Sequence, residues 1–145
     1  MQTLKLIIGN KNYSSWSMRP WLLLKHFDIP FEEIRIPLFT EDTPKQLKAY
    51  SPSGLVPALL HQELKLWDSL AICEYMAELN PQIPLWPKPQ NARAVARAVA
   101  AEMHSGFNAL RSALPMNVRA RYQWKDVGIE VMNDIKRIET LWQDC

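Results

Sequence analysis

The first strong signal along the chain is LKLII at 4–8, an apolar run broken by a single lysine, which predicts a buried strand. Apolar residues at helical spacing over 20–27 predict a short helix, a turn follows at Asp28, Ile29 and Pro30, and 33–38 predicts a second strand. A weaker helix pattern covers 44–49. Beyond it, ALL at 58–60 and LKLW at 64–67 flank the polar His61, Gln62 and Glu63, which predicts a hairpin, and 69–79 predicts a closing helix.

The order strand, helix, strand, helix, two strands, helix is the thioredoxin-like α/β arrangement, assigned to residues 1–80. Prolines at 81, 84, 87 and 89 forbid a continuing helix or a central strand, so 81–90 reads as a linker. The remainder, 91–145, is helical only. One helix is expected over 91–114, rich in Ala and Arg with no proline until Pro115. A second places Val127, Val131, Ile135, Ile138 and Trp142 on one face. Two helices with an apolar stripe need a further surface to pack on, so this part reads as a partial all-α domain.

Within the hairpin region the pair Val56-Pro57 stands out, because proline cannot donate to a sheet ladder. A cis X-Pro turn there would present the backbone N–H and C=O of Val56 to an extended, peptide-like ligand. Eleven residues on, Asp68 and Ser69 head a helix, where they cap it and also offer a carboxylate, a hydroxyl and open N–H groups.

Composition narrows the function classes. A net charge of +2 is too small to point to nucleic acid, and no run of eighteen apolar residues predicts a membrane span. The start, MQTLKLIIG, turns polar too soon for a secretory signal, which favours the cytoplasm. Cys73 and Cys145 lack metal or redox spacing and read as reduced thiols; no metal site is expected. His26, His61 and His104 share no pattern.

Three segments in order, Ser14-Ser15-Trp16-Ser17-Met18-Arg19, then SPSGLVP at 51–57, then WDSLAICEY at 67–75, closely resemble a cytosolic glutathione transferase. The first is similar to the serine motif of the zeta class and related bacterial enzymes. The resemblance spans about residues 3–145 and the N-terminal two-thirds of such a transferase, whose later helices complete the second domain. It implies a thioredoxin-like glutathione-binding domain, glutathione as co-substrate, a small electrophile as second substrate, and a homodimer in which Arg93 and Arg97 contribute contacts. Without the later helices, the face bearing Val131, Ile135, Ile138 and Trp142 is expected to be an exposed patch.

The resemblance further implies that Val56, before Pro57, pairs through its backbone with the cysteinyl part of glutathione, while Asp68 and Ser69 hold the γ-glutamyl end. Ser14 first, and Ser15 second, would donate a hydrogen bond to the thiolate near the start of the first helix, whose positive end favours the same charge. On the residues alone, Ser14, Ser15 and Ser17 equally read as caps of a helix beginning near Pro20. Tyr13 is a rival donor, and Arg19 is either a site cation or a solvated first-turn residue. Lys45, Gln46 and Lys48 compete for the glycyl carboxylate, and Met103, Phe107 and Met116 are candidates for the substrate wall. Trp16 replaces the cysteine usual in the zeta class, and Leu55 replaces a common lysine or glutamine. The absence of cysteine from the first helix argues against mixed-disulfide chemistry. A non-catalytic binding module of the stringent starvation protein type, and a zeta-type isomerase, are the alternatives to transfer.

Overall fold

The computed structural model describes residues 3–145. It divides between Trp86 and Pro87 into two compact units. In the first, β1 (Lys5–Ile8), α1 (Ser15–His26), β2 (Glu32–Arg35), α2 (Thr43–Tyr50), β3 (Ala58–His61), β4 (Leu64–Trp67) and α3 (Ser69–Leu79) follow one another. The sheet order is β2-β1-β3-β4, with β1 and β2 parallel and the other two pairings antiparallel.

Alternation along the strands divides the core between the two faces of the sheet. Leu6, Ile8 and Leu59 point to one face, where they cluster with Leu24 of α1 and Ile72 and Met76 of α3. Ile7 and Ala58 point to the other and meet Ile36 and Leu47, the latter on α2. Most of these side chains are fully enclosed, and each such burial removes roughly 1.5–3 kcal/mol worth of apolar surface from water. Both faces are therefore covered, as the short, nearly uninterrupted apolar strand β1 requires.

Two boundaries of this unit differ from expectation. Helix α1 starts at Ser15, five residues before Pro20, so Pro20 lies buried inside the helix rather than opening it. Ser14 is its N-cap, and the helix runs through Pro20 because burial of Pro20 and Leu24 against the sheet offsets the backbone bond forfeited there. Strand β2 covers Glu32–Arg35 rather than 33–38. One more ladder bond, from Ile36 N–H to Ile8 O at 2.8 Å, follows before Pro37, which has no N–H to offer.

The second unit holds α4 (Gln90–Ser105), α5 (Asn108–Ala113) and α6 (Ile129–Asp144). The single helix expected over 91–114 is broken: Gly106 is extended and Phe107 is left-handed, φ 63°, with its ring buried against Ile138 and Leu141. The guanidinium of Arg111 bridges this break, donating to the carbonyl oxygens of Met103 and Gly106. Asp134 on α6 accepts from Leu110 N–H at 3.0 Å, so α5 is capped from another helix. Arg137 meets Glu102 in a bidentate pair, 2.6 and 2.8 Å, which joins α6 to α4.

The expected stripe on α6 also needs correction. Val131, Ile138 and Leu141 are buried, whereas Trp142 is exposed and Val127 precedes the helix. Leu141 rather than Trp142 continues the inward face, since it lies three residues after Ile138. The patch expected on Val131, Ile135, Ile138 and Trp142 is thus largely closed, leaving Ile129 and Trp142 as the exposed apolar residues of α6. Among the described residues, no helix is long and apolar enough to cross a membrane.

Candidate functional site

Strand register gathers three loops at one end of the sheet. Ile7 of β1 lies opposite Ala58 of β3, and Ala58 opposite Trp67 of β4. The loop leaving β1 (9–14), the loop entering β3 (51–57) and the turn into α3 at Asp68 therefore emerge together.

The loop leaving β1 is compact. Asn10 O accepts from the N–H groups of both Tyr13 and Ser14, at 3.1 and 2.8 Å. Gly9 permits this: a Cβ there would lie 2.5 Å from Leu38 Cδ1 and 3.2 Å from Ser14 Cβ. Ser14, buried, accepts weakly from Ser17 N–H at 3.4 Å and donates its hydroxyl proton to Ser17 Oγ at 2.8 Å. Ser17 Oγ, buried too, also accepts from Gly9 N–H at 3.0 Å. Ser15 is half-buried at the first helical position, with no hydrogen bond to its hydroxyl among the described residues. Tyr13 is 53% exposed. Arg19 stacks on the Trp16 ring, 4.1 Å from its centroid.

In the second loop the Val56–Pro57 bond is cis. Ser51 and Ser53 share a hydroxyl contact of 2.9 Å, and Ser53 Oγ accepts from Leu55 N–H at 3.2 Å. Val56 itself is half-buried, and among the described residues its N–H and C=O make no hydrogen bond. Leu55 is exposed, and Lys45, Gln46 and Lys48 lie on α2, the two lysines exposed and Gln46 half-buried.

The third element is the head of α3. Asp68 has φ 76°, a conformation disfavoured for a side chain with a Cβ and concentrated at functional turns. Its Oδ1 accepts from Leu70 and Ala71 N–H at 2.9 and 3.1 Å. Ser69, which comes next, is buried, and neither its N–H nor its hydroxyl has a hydrogen-bond partner among the described residues. An orphaned buried hydroxyl costs about 1–3 kcal/mol, so a group that accepts from it recovers that energy. Both unfilled donors sit at a helix N-terminus, where an anion is favoured.

Cys73, one turn further along α3, has its thiol pushed up to about 11 by burial, with Arg19 acting against that rise and Glu74 and Asp68 adding to it. The histidines stay apart: His61 Nδ1 is 2.7 Å from the Tyr75 hydroxyl, and His26 packs edge-on against Phe27. Among the described residues no group of three His, Cys, Asp or Glu side chains is placed to hold a metal. Of the three residues considered for a substrate wall, Phe107 is committed to the core of the second unit and Met103 packs against it, while Met116 is half-buried in the irregular segment after α5.

A mixed sheet of this order, with α1 and α3 on one face and α2 on the other, defines a thioredoxin-like domain, here followed by a helical unit. Residues 13–79 match the family model described as glutathione S-transferase, N-terminal domain. A probable maleylacetoacetate isomerase of Caenorhabditis elegans is 36% identical over 68% of this chain and 45% of its own length. A zeta-class glutathione S-transferase of Euphorbia esula is 30% identical over 79% and 50%. A glutathione transferase homologue from Burkholderia, solved with bound glutathione, superposes with TM-score 0.63 at 27% identity, covering 77% of this chain and 59% of that one. Residues 13–79 thus carry the N-terminal domain of the glutathione S-transferase family, and the chain spans about half the length of the curated relatives it matches.

The fold expected from the strand order and the three motifs is the fold observed. The unfilled Ser69 donors have no sequence signature beyond the Asp-Ser pair, since orphaning depends on what the rest of the fold leaves empty.

Proposed function

We propose that the chain binds glutathione and activates its thiol for attack on a small electrophile. The observation that carries this reading is Ser69, whose buried hydroxyl and N–H both want an acceptor at the head of α3. The γ-glutamyl carboxylate is that acceptor, and the γ-glutamyl ammonium pairs with the Asp68 carboxylate. The open N–H and C=O of Val56 match the cysteinyl residue, pairing as an added strand would.

The thiol then lies at the start of α1. A hydrogen bond from Ser14 or Ser15 to a charged sulfur contributes about 1.5–3 kcal/mol, and a helix N-terminus about 0.3–1 kcal/mol more. At 1.36 kcal/mol per pH unit, these lower a thiol from about 8.5 into the neutral range, so thiolate is abundant where the electrophile arrives. The serine keeps its proton throughout. We assign the protein to the cytoplasm, as a homodimer, on the family's habit.

A second reading, glutathione-dependent isomerisation, is favoured by the nematode relative's name. Trp16 at the position of the zeta-class cysteine counts against it. The test is retention on immobilised glutathione, then turnover of an aromatic halide and of maleylacetoacetate. Conjugate formation supports transfer, and isomer formation without loss of glutathione supports the second reading. Retention without either turnover leaves a binding module. Ser69→Ala is expected to weaken glutathione about ten- to a hundredfold, the worth of a hydrogen bond to a charged group. Unchanged retention in that variant overturns the site.

A further inference from the structure

Two buried hydroxyls at the N-terminus of α1 share their protons in a way that bears on how the thiolate is held. Each hydroxyl carries one proton and accepts at its lone pairs. As the chain stands, Ser14 spends its proton on Ser17 Oγ, and Ser17 Oγ also receives Gly9 N–H. In a usual capping box the N3 side chain returns to the N-cap N–H. Here Ser14 N–H is already bonded to Asn10 O, and Ser17 reaches instead to the end of β1. Ser17 Oγ is thereby fixed by the backbone, not by the serine it serves.

We infer that Ser17 is a positioning residue for the thiolate, acting through Ser14, by turning from acceptor to donor in the Ser14–Ser17 hydrogen bond when the sulfur arrives. This rests on the glutathione reading above. Ser14 cannot donate to a thiolate and to Ser17 at once. Rotating both hydroxyls reverses their bond: Ser17 donates to Ser14 Oγ, and Ser14 donates to sulfur. No proton leaves either serine, and Gly9 N–H holds Ser17 Oγ in both arrangements. A hydroxyl that accepts while it donates is the stronger donor, so the reversed pair holds the thiolate better than Ser14 alone.

The test titrates thiolate absorbance of glutathione bound to the 145-residue chain, in wild type, Ser17→Ala, Ser14→Ala and the double variant. Binding of S-methylglutathione, which has no thiol to ionise, reports folding and the remainder of the site. Ser17→Ala is expected to raise the bound thiol pKa by about one unit, with S-methylglutathione affinity within about twofold of wild type. Ser14→Ala raises it at least as much, and the double variant no further than Ser14→Ala alone. An unshifted pKa in Ser17→Ala overturns the inference, as does an additive double variant or an equal loss of S-methylglutathione. If Ser17→Ala does not fold, Ser17→Cys decides, because sulfur accepts from Gly9 N–H yet donates weakly; an unshifted pKa there also overturns it. Wild type that binds no glutathione sinks the underlying reading. A shift seen only in Ser15→Ala leaves that reading standing and removes this one.

Discussion

The two units solve the same packing problem with unequal means. In the first, a sheet covered on both faces encloses Leu6, Ile7, Leu24, Leu59, Ile72 and Met76 completely. In the second, neither α4 nor α5 has a single buried residue, and α6 meets them chiefly through the Phe107, Ile138 and Leu141 cluster. What the second unit lacks in apolar enclosure it replaces with polar fastenings: Arg111 across the helix break, Asp134 under α5, and Arg137 on Glu102. The lesson is that a helical layer can hold a defined shape with little core when its helix ends are tied by side chains from neighbouring helices.

The sharpest way to break this contrast is to hollow out each core. Leu59→Ala is expected to cost about 3–5 kcal/mol, since a fully enclosed leucine leaves a cavity the sheet cannot close. Phe107→Ala, in a cluster with an open rim, should fall below the ~3–5 kcal/mol usual for an enclosed phenylalanine. Native-state hydrogen exchange read separately in β1, β3, α4 and α6 checks both, and equal costs would erase the difference.

The two cysteines sharpen the comparison next. Cys73 belongs to the first unit and its thiol is pushed up to about 11, whereas Cys145 is exposed at the end of the second. Iodoacetamide near pH 8 should modify Cys145 readily and Cys73 only on unfolding, as mass spectrometry of timed samples would record. Because the folded value is the raised one, Cys73 contributes stability that is intact below about pH 9 and is lost as pH climbs toward 11. Alkaline unfolding of the first unit should shift accordingly in Cys73→Ala.

Smaller effects attach to the polar fastenings. Asp134→Ala removes the acceptor for Leu110 N–H and should cost about 1 kcal/mol, read as faster exchange along α5 alone. The Glu102–Arg137 pair is exposed, and its removal should change stability least, with an effect that fades at high salt. Arg137's hydrogen bonds, working against slight desolvation, hold the Glu102 carboxyl below its ordinary value. Its contribution is therefore present at neutral pH and lost as pH falls through that lowered value.

Legibility from sequence followed the same division. Strands β1 and β3 were readable from their enclosed apolar runs, edge strand β4 from the alternation LKLW after a polar turn, and helix α3 from its capping Asp. The start of α1 was not, because Pro20 mimics a first-turn proline while the true signal is Ser14 three residues before Ser17. The break at Phe107 was invisible, since a bulky residue in the left-handed region is dictated by the pocket its ring fills. On α6, Leu141 and Trp142 are both apolar neighbours, and only packing decides which turns inward. For the candidate site, motif order pointed to Val56, Asp68 and Ser69, but the absence of partners for Ser69 and the spending of the Ser14 proton on Ser17 are properties of the folded network.

Gly9 shows how such a network constrains change over time. The residue touches no ligand in the proposed site, yet any side chain there meets the Leu38 side chain first and Ser14 Cβ second. The first obstacle is the movable end of a leucine, and the second is fixed to the helix cap. Exchange of Gly9 for a residue with a Cβ therefore requires the Leu38 side chain to swing aside or be trimmed, and Ser14 to give by a few tenths of an ångström. The order of substitutions matters in degree: trimming Leu38 first lowers the cost of the second change, and the reverse order carries that cost until Leu38 moves.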